Sequence, residues 1–334
     1  MSALPRVSVI LPARNEARRV LSSLHSLTAL DYPDLEICVV DDRSTDNTAA
    51  LAENFIKHYQ GDKRIALLRS PQEPPRGWVG KTFATDFAIA HSQGTLLLVC
   101  DVDVKHMPTS LQHIVTEFQQ KNLDLLAQLP HFDVRSVGEY PLLFHTFLLY
   151  FSSAVCRTLG SQQSFAMGTY LLFTREFYQQ SGGWHTHRAY PESLPLLNWC
   201  IAHRRKFLFR RDCGEIVARM HEGAWATFHG LVRNSNFALL QPLPLLIYVG
   251  YVTLCAWSII TTAVGSLVGT LGGVILLAWF VVHLMRCRYT PGVIVGASIF
   301  SVFMPLYLLL VGCTASLRQI FNLPLRWRDR PMRP

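Results

Sequence analysis

Leu96-Leu97-Leu98-Val99-Cys100 is an apolar run of high β-propensity that ends in Asp101-Val102-Asp103. In an extended chain alternate side chains share a face, so this spacing predicts that Asp101 and Asp103 point the same way. Two carboxylates aimed at one point repel each other unless a cation lies between them. Hard oxygen ligands suit Mg²⁺ or Mn²⁺, which commonly bind through one or two carboxylates and the phosphates of a substrate. The plain alternative is a strand end with two solvated acids. A second acidic pair, Asp41-Asp42, closes another apolar run, Leu35 to Val40. Both pairs therefore fall at predicted strand ends.

The elements that must place these acids follow from periodicity. Val7 to Leu11 reads as a buried strand, and Val20, Leu21, Leu24 and Leu27 recur at helical spacing. Leu35 to Val40 is a second strand. Thr45 or Asp46 is placed to cap a helix running to about His58. Ile65 to Leu68 is a third strand. Ser70 to Gly80, with Pro71, Pro74, Pro75, Gly77 and Gly80, must be a loop, followed by a helix from Lys81 to His91 and then the Leu96 strand. Such β-α-β-α-β alternation predicts an α/β fold with a mostly parallel sheet covered by helices. Further on, strands are expected near Leu123–Gln128, Phe165–Phe173 and Lys206–Arg211, with a helix over Pro191–His203. In open parallel sheets ligands bind at the carboxyl ends of the strands, where both acidic pairs lie.

The chain has 334 residues, a net charge of +8 and 50% hydrophobic residues. Its mean hydropathy of +0.21 points to membrane segments. The positive excess does not read as nucleic-acid binding: from Gly223 onward the only acidic residue is Asp329. Eight cysteines form no C-x-x-C pair and read as small reduced hydrophobes. Met1 to Arg6 leads straight into a strand, so no signal peptide is expected. His283 is the one titratable group between Arg233 and Arg286 apart from Cys and Tyr. Leu239–Val264, Leu267–Met285 and Pro291–Leu317 each carry about the 20 apolar residues that a span requires. Three spans would put Arg286 and Arg288 on the side of the N-terminal part and the arginine-rich tail on the other, against the positive-inside preference. The number of spans stays open on this ground. Tyr140, Phe144, Phe147 and Phe151 share one helical face within 138–159. The expectation is a helix lying in the bilayer interface, against the alternative of a packed core helix.

Five stretches then resemble family 2 inverting glycosyltransferases, in that family's order: Val9 to Glu16, Val39 to Thr48, Gly77-Trp78-Val79-Gly80-Lys81, Asp101-Val102-Asp103 and Gly182-Gly183-Trp184. Gly77 to Lys81, Trp225 to Asn234 and Arg326-Trp327-Arg328 are most similar to membrane enzymes that glycosylate carotenoid or hopanoid lipids. The resemblance implies a GT-A nucleotide-sugar-binding domain over 1–235; the apolar runs place about three transmembrane helices over 236–318, ahead of a basic tail over 319–334. It implies donor binding by Pro12, Ala13, Asn15, Glu16, Asp41, Asp42, Lys81 and Asp101. Asp101 and Asp103 would hold the metal, with His221 as a further ligand, and Asp103 would act at the reaction centre. Physically, a carboxylate can accept the uracil N3–H or a ribose hydroxyl. A lysine at a helix start favours a diphosphate.

On the acceptor side the resemblance implies Trp184, Glu192 and Trp225. The family's catalytic Asp is replaced here by Ser193, and a serine cannot accept a proton at neutral pH without a base of its own. Three readings follow: Glu192 turns inward and acts as base, the acceptor is an acid already ionised, or donor and lipid bind without efficient transfer. His185-Thr186-His187 shows no partner carboxylate at useful spacing and reads as a loop. The Gln-x-x-Arg-Trp signature of polysaccharide synthases is missing after Glu192. The expected function is transfer of a hexose, glucose first, from a UDP-sugar to a membrane lipid at the inner face of the plasma membrane. The alternatives are transfer to polyprenyl phosphate, or a non-catalytic binding protein derived from the fold.

Overall fold

A computed structural model describes residues 4–158, 168–186, 193–211, 214–238, 242–321, 323, 325–327 and 330–332. In chain order its principal elements are β1 (Val7–Ala13), α1 (Val20–Thr28), β2 (Leu35–Asp41), α2 (Thr48–His58), β3 (Arg64–Arg69), α3 (Gly80–Ala90), β4 (Leu96–Cys100) and β5 (Val104–His106). There follow α4 (Ser110–Gln120), β6 (Leu125–Leu129), β7 (His131–Phe132), α5 (Tyr140–Thr158), β8 (Tyr170–Thr174), α6 (Arg175–Gln180), α7 (Gly183–Thr186), α8 (Ser193–Ala202), β9 (Phe207–Arg211) and β10 (Ile216–Ala218). The C-terminal part is helical: α9 (Gly223–Ala238), α10 (Pro242–Ala263), α11 (Leu267–Arg286), α12 (Pro291–Phe300) and α13 (Met304–Ile320).

The chain forms two compact units that interleave in sequence. The first comprises 1–131, 166–218 and 326–334, and the second 132–165 and 219–325. The segment around Phe147 thus belongs with the C-terminal helices rather than with the sheet.

In the first unit seven strands form one sheet in the order β3-β2-β1-β4-β8-β6-β9. β1, β2 and β3 are parallel, β4 is parallel to β1, and β8 runs antiparallel between β4 and β6. The register sets Ala13 beside Asp41 and Asp41 beside Arg69, so the carboxyl ends of these strands are level. The chain leaves β1 toward β2 and β3 on one side, then returns through α3 to β4 on the other. The order therefore reverses between β1 and β4, and a crevice opens outside strand ends at such a switch point.

Burial explains why the strands form. All seven residues of β1 and all five of β4 are buried. Such strands are covered on both faces, so they read as near-continuous apolar runs rather than alternating ones. Ile10, Val40, Leu97, Leu125 and Phe173 meet Ala84 and Ala88 of α3 in one core cluster. Arg175 fixes the start of α6 by donating to Gly94 O at 2.7 Å, Ile89 O at 3.0 Å and Ser92 O at 3.0 Å. The Thr174 hydroxyl caps α6 by accepting from Phe177 N.

In the second unit α5 is a packed helix. Phe144 and Phe147 are buried, with ring centroids 5.2 and 5.5 Å from Phe280 of α11, and Phe151 meets Trp279 at 5.1 Å. The aromatic face expected to lie in a bilayer interface is covered by protein. The physical reason is that α11 offers aromatic partners on the matching stripe, which periodicity alone does not reveal. Two helical runs, Leu267–Arg286 and Pro291–Arg318, are long and apolar enough to cross a membrane by length and composition. A 3₁₀ turn at Ser301–Phe303 interrupts the second run. The remaining expected span corresponds to α10.

Candidate functional site

The end of β1 and the loop after β2 are laced together by backbone and short polar groups. Pro12 and Ala13 are the last residues of β1, and both are buried. Asp42 N donates to Ala13 O at 2.8 Å. The Arg14 guanidinium donates back to Asp42 O at 2.6 Å and to Arg43 O at 3.0 Å. Asn15 has φ of 52°, a left-handed conformation that Asn adopts more readily than most residues. Its Oδ1 accepts from Thr45 N at 2.9 Å, and Glu16 N donates to Thr48 Oγ1 at 2.7 Å.

Asp41 and Asp42 are both buried. Asp41 Oδ1 accepts from Ser44 N at 3.2 Å, so part of its capacity goes into shaping its own turn. Asp46 does not cap α2 from the position immediately before it. It accepts from Thr48 N at 3.0 Å and Ala17 N at 3.2 Å, joining the two loops. Burial opposes ionisation of Asp46, yet these hydrogen bonds hold its carboxyl below the usual range. The result is a rigid double loop at the carboxyl ends of β1 and β2.

The Asp101–Asp103 segment is a turn. Asp101 N donates to Thr169 O, and Val104 N donates to Asp101 O, each at 3.2 Å. The strand alternation expected to align the two carboxylates therefore stops at Cys100. The turn opens because β4 pairs with β8 only as far as Cys100 and Tyr170. Burial, the Asp101 charge and the Asp103 charge all push the Cys100 thiol well above its ordinary value, with Lys81 opposing them.

Lys81, in the first turn of α3, is 9% exposed. Its Nζ stands 2.6 Å from Asp101 Oδ1 and donates to Gly168 O at 3.2 Å. Three elements thus meet here: the start of α3, the end of β4 and the residues leading into β8. Gly77 has φ of +86°, which only glycine takes without strain, and Trp78 N closes the turn onto Pro75 O at 3.0 Å. Trp78 packs edge-on against Phe83 and His185, at 5.5 and 5.2 Å.

The oxygen donors of Asp101 and Asp103 fit a hard divalent cation, and the ammonium standing against Asp101 is an observed stand-in for one. Among the described residues no three His, Cys, Asp or Glu side chains group as a metal site. His221 belongs to the second unit, where its ring occupies the space that a Cβ on Gly230 would need. Trp184 is fully buried beside Phe173 and Tyr178, so it serves the core rather than an exposed acceptor face. Trp225, at 75% exposed, lies in the first turn of α9. Glu192 lies outside the described residues; Ser193 opens α8 and is buried.

Two polar groupings are absent from the sequence reading. His185 has a carboxylate partner after all: its Nε2 is 2.8 Å from Asp86 Oδ2, and Tyr178 Oη donates to Asp86 Oδ1. Asp86 is remote in sequence, so local spacing could not show it. In the second unit Glu139 is 2% exposed and accepts from Arg219 at 2.6 and 3.0 Å, Arg135 N at 2.8 Å and Gly223 N at 2.8 Å. Burial would raise this carboxyl, but those donors outweigh it and bring it down to about 2. A lone Glu beside Gly138 carries no local signature of such a hub.

The sequence model described as "Glycosyl transferase family 2" matches residues 8–182. Among curated proteins, a β-monoglucosyldiacylglycerol synthase of a Nostoc species is 32% identical over 123 residues, 36% of this chain and 25% of that one. A 4,4′-diaponeurosporenoate glycosyltransferase of Staphylococcus aureus is 25% identical over 182 residues, 53% of this chain and 46% of that one. The chain spans from about a quarter to about half the length of these relatives. Among solved structures, a mannosyltransferase of Pyrobaculum calidifontis in complex with GDP-Man and Mn²⁺ has a TM-score of 0.54 at 19% identity, covering 96% of this chain and 89% of that one. That likeness shows a shared fold.

Proposed function

The chain belongs to glycosyl transferase family 2, and on that premise we propose that it moves a hexose, glucose first, from a UDP-sugar onto a membrane lipid with inversion. The observation that carries this reading is the meeting of Lys81, Asp101 and Gly168 at the switch point, beside the double loop after β1 and β2. The double loop supplies buried carboxylates and fixed backbone groups for a base and a ribose. Lys81 supplies positive charge for a diphosphate. Asp101 and Asp103 would hold Mg²⁺ or Mn²⁺, whose chemistry is to neutralise the charge that develops on a departing phosphate. A protein of the same fold, solved in complex with GDP-Man and Mn²⁺, supports that choice.

Ser193 at the expected base position leaves two sources for an acceptor nucleophile. Glu192 takes the proton from a hydroxyl, or the acceptor arrives as an anion and needs no base. The Staphylococcus relative is named for a carboxylate, which supports the second source for this chain. Apolar surface supports a lipid acceptor. Every exposed large hydrophobic residue among those described, apart from Met107, Val137 and Trp225, lies between Leu246 and Leu323. Soluble monomers rarely expose so continuous an apolar surface. We assign those helices to the bilayer, as a multi-pass anchor in the inner membrane with the donor site on the cytoplasmic side.

The test is to incubate membranes carrying the protein with Mn²⁺, labelled UDP-glucose and a lipid extract containing hydroxyl and carboxyl acceptors. Label in the organic phase is expected. No labelled lipid with any UDP-sugar would overturn the reading. Glu192→Gln separates the two acceptor chemistries: unchanged turnover excludes Glu192 as base.

A further inference from the structure

We propose that the Lys81 ammonium is the resident cation of the Asp101 site, holding that carboxylate against a divalent ion until a nucleoside diphosphate takes the ammonium away. This rests on the donor-site reading above. Lysine is almost never buried unless it is paired. Lys81 is 9% exposed, with its ammonium 2.6 Å from Asp101 Oδ1 and 3.2 Å from Gly168 O. A divalent ion entering without donor must bring its charge close to that ammonium, and the two repel. It must also take Asp101 from the ion pair, and drawing one partner away from a buried charge is costly.

A diphosphate changes both conditions. It brings negative charge to the start of α3, where the helix dipole already favours an anion. The ammonium gains a new partner, and Asp101 is released to the metal. Donor and metal then strengthen each other's binding through one side chain. By linkage the factor is the same in both directions. Lys81 is thus a positioning residue for the metal as well as a contact for the donor.

The experiment uses the full chain in detergent and measures Mn²⁺ binding by the loss of free Mn²⁺ signal in electron paramagnetic resonance, without nucleotide and then with saturating UDP. Wild-type protein is expected to bind Mn²⁺ at least tenfold more tightly with UDP than without. Lys81→Met is expected to bind Mn²⁺ alone at least tenfold more tightly than wild type, to bind UDP more weakly, and to lose most of the coupling. Lys81→Gln keeps an amide able to bond Gly168 O and is expected to shift in the same direction, so the comparison does not depend on one variant folding. Adding Asp101→Asn to Lys81→Met should cancel the gain. A folded Lys81→Met or Lys81→Gln protein that binds UDP yet takes up Mn²⁺ no better than wild type overturns the proposal and leaves the donor site standing. Failure of wild type to bind UDP at all overturns both.

Discussion

Asp103 tests the site at the scale of one residue. If its carboxylate meets the charge that develops as the diphosphate leaves, Asp103→Ala should reduce turnover of labelled UDP-glucose by about 10²–10³-fold, the usual range for loss of one electrostatic stabiliser. The fold should be unchanged, because Asp103 lies on a turn outside the sheet. Turnover within a few-fold of wild type would exclude that role. This residue was legible in the sequence because its signal is local: an apolar run that ends in paired acids. Strand alternation does not align the pair, since the chain turns at Asp101. Lys81 was legible as a charge at a helix start, but its pairing with Asp101 was not. Nor was the Asp86–His185 pair. Contacts between residues distant in sequence leave no periodic trace.

At the scale of elements, the hub at Glu139 joins the 3₁₀ turn Val137–Glu139 to Arg219 and to the start of α9. Its carboxyl lies at about 2, below the 4.5 of an unstructured Glu. A depressed value stabilises the fold when the group is ionised. The contribution is therefore complete above about pH 4.5 and is lost as the pH falls toward 2. Melting of the detergent-solubilised protein should show this: wild type loses stability steeply over that window, and Glu139→Gln is less stable at pH 7 with a flatter acid limb. Parallel acid limbs would contradict the assignment. Removing one partner of such a buried pair costs about 3–5 kcal/mol.

The join between α6 and α7 makes a second prediction. Gly183 has φ of +51°, and a Cβ there would lie 2.4 Å from the Tyr178 ring. Gly183→Ala should therefore destabilise the protein by about 1–3 kcal/mol, the usual cost of overpacking a core. An unchanged denaturation midpoint would contradict that packing. Most elements of the sheet were legible, because β1, β2 and β4 are buried on both faces and read as continuous apolar runs. The β5 and β10 strands were not: each has three residues, and they find each other antiparallel only in the fold.

The molecule as a whole divides where its sequence does not. The helix expected within 138–159 falls inside the 1–235 span assigned to the donor-binding domain. Its aromatic face instead packs on α11 within the second unit. A fragment ending at Ala238 would remove α11 and bare Phe144, Phe147 and Phe151. It should sediment as aggregate without detergent, whereas the full chain in detergent should run as a single species. A soluble, monodisperse fragment would contradict the pairing of α5 with α11. The apolar character of the C-terminal part was plain from the lack of charge between Arg233 and Arg286. The break at Ser301–Phe303 also has a sequence signal, which the apolar run hides: Pro305 has no N–H to bond Ser301 O and its ring crowds that carbonyl.

Binding of the donor itself tests the central claim most directly. Calorimetric titration of the detergent-purified full chain with UDP-glucose should give saturable heat in the presence of Mn²⁺. That heat should be strongly reduced by EDTA and lost in an Asp101→Asn, Asp103→Asn double variant that still melts like wild type. A wild-type protein that gives no binding heat with UDP-, GDP- or other nucleotide-linked sugars, with or without Mn²⁺, would contradict the account.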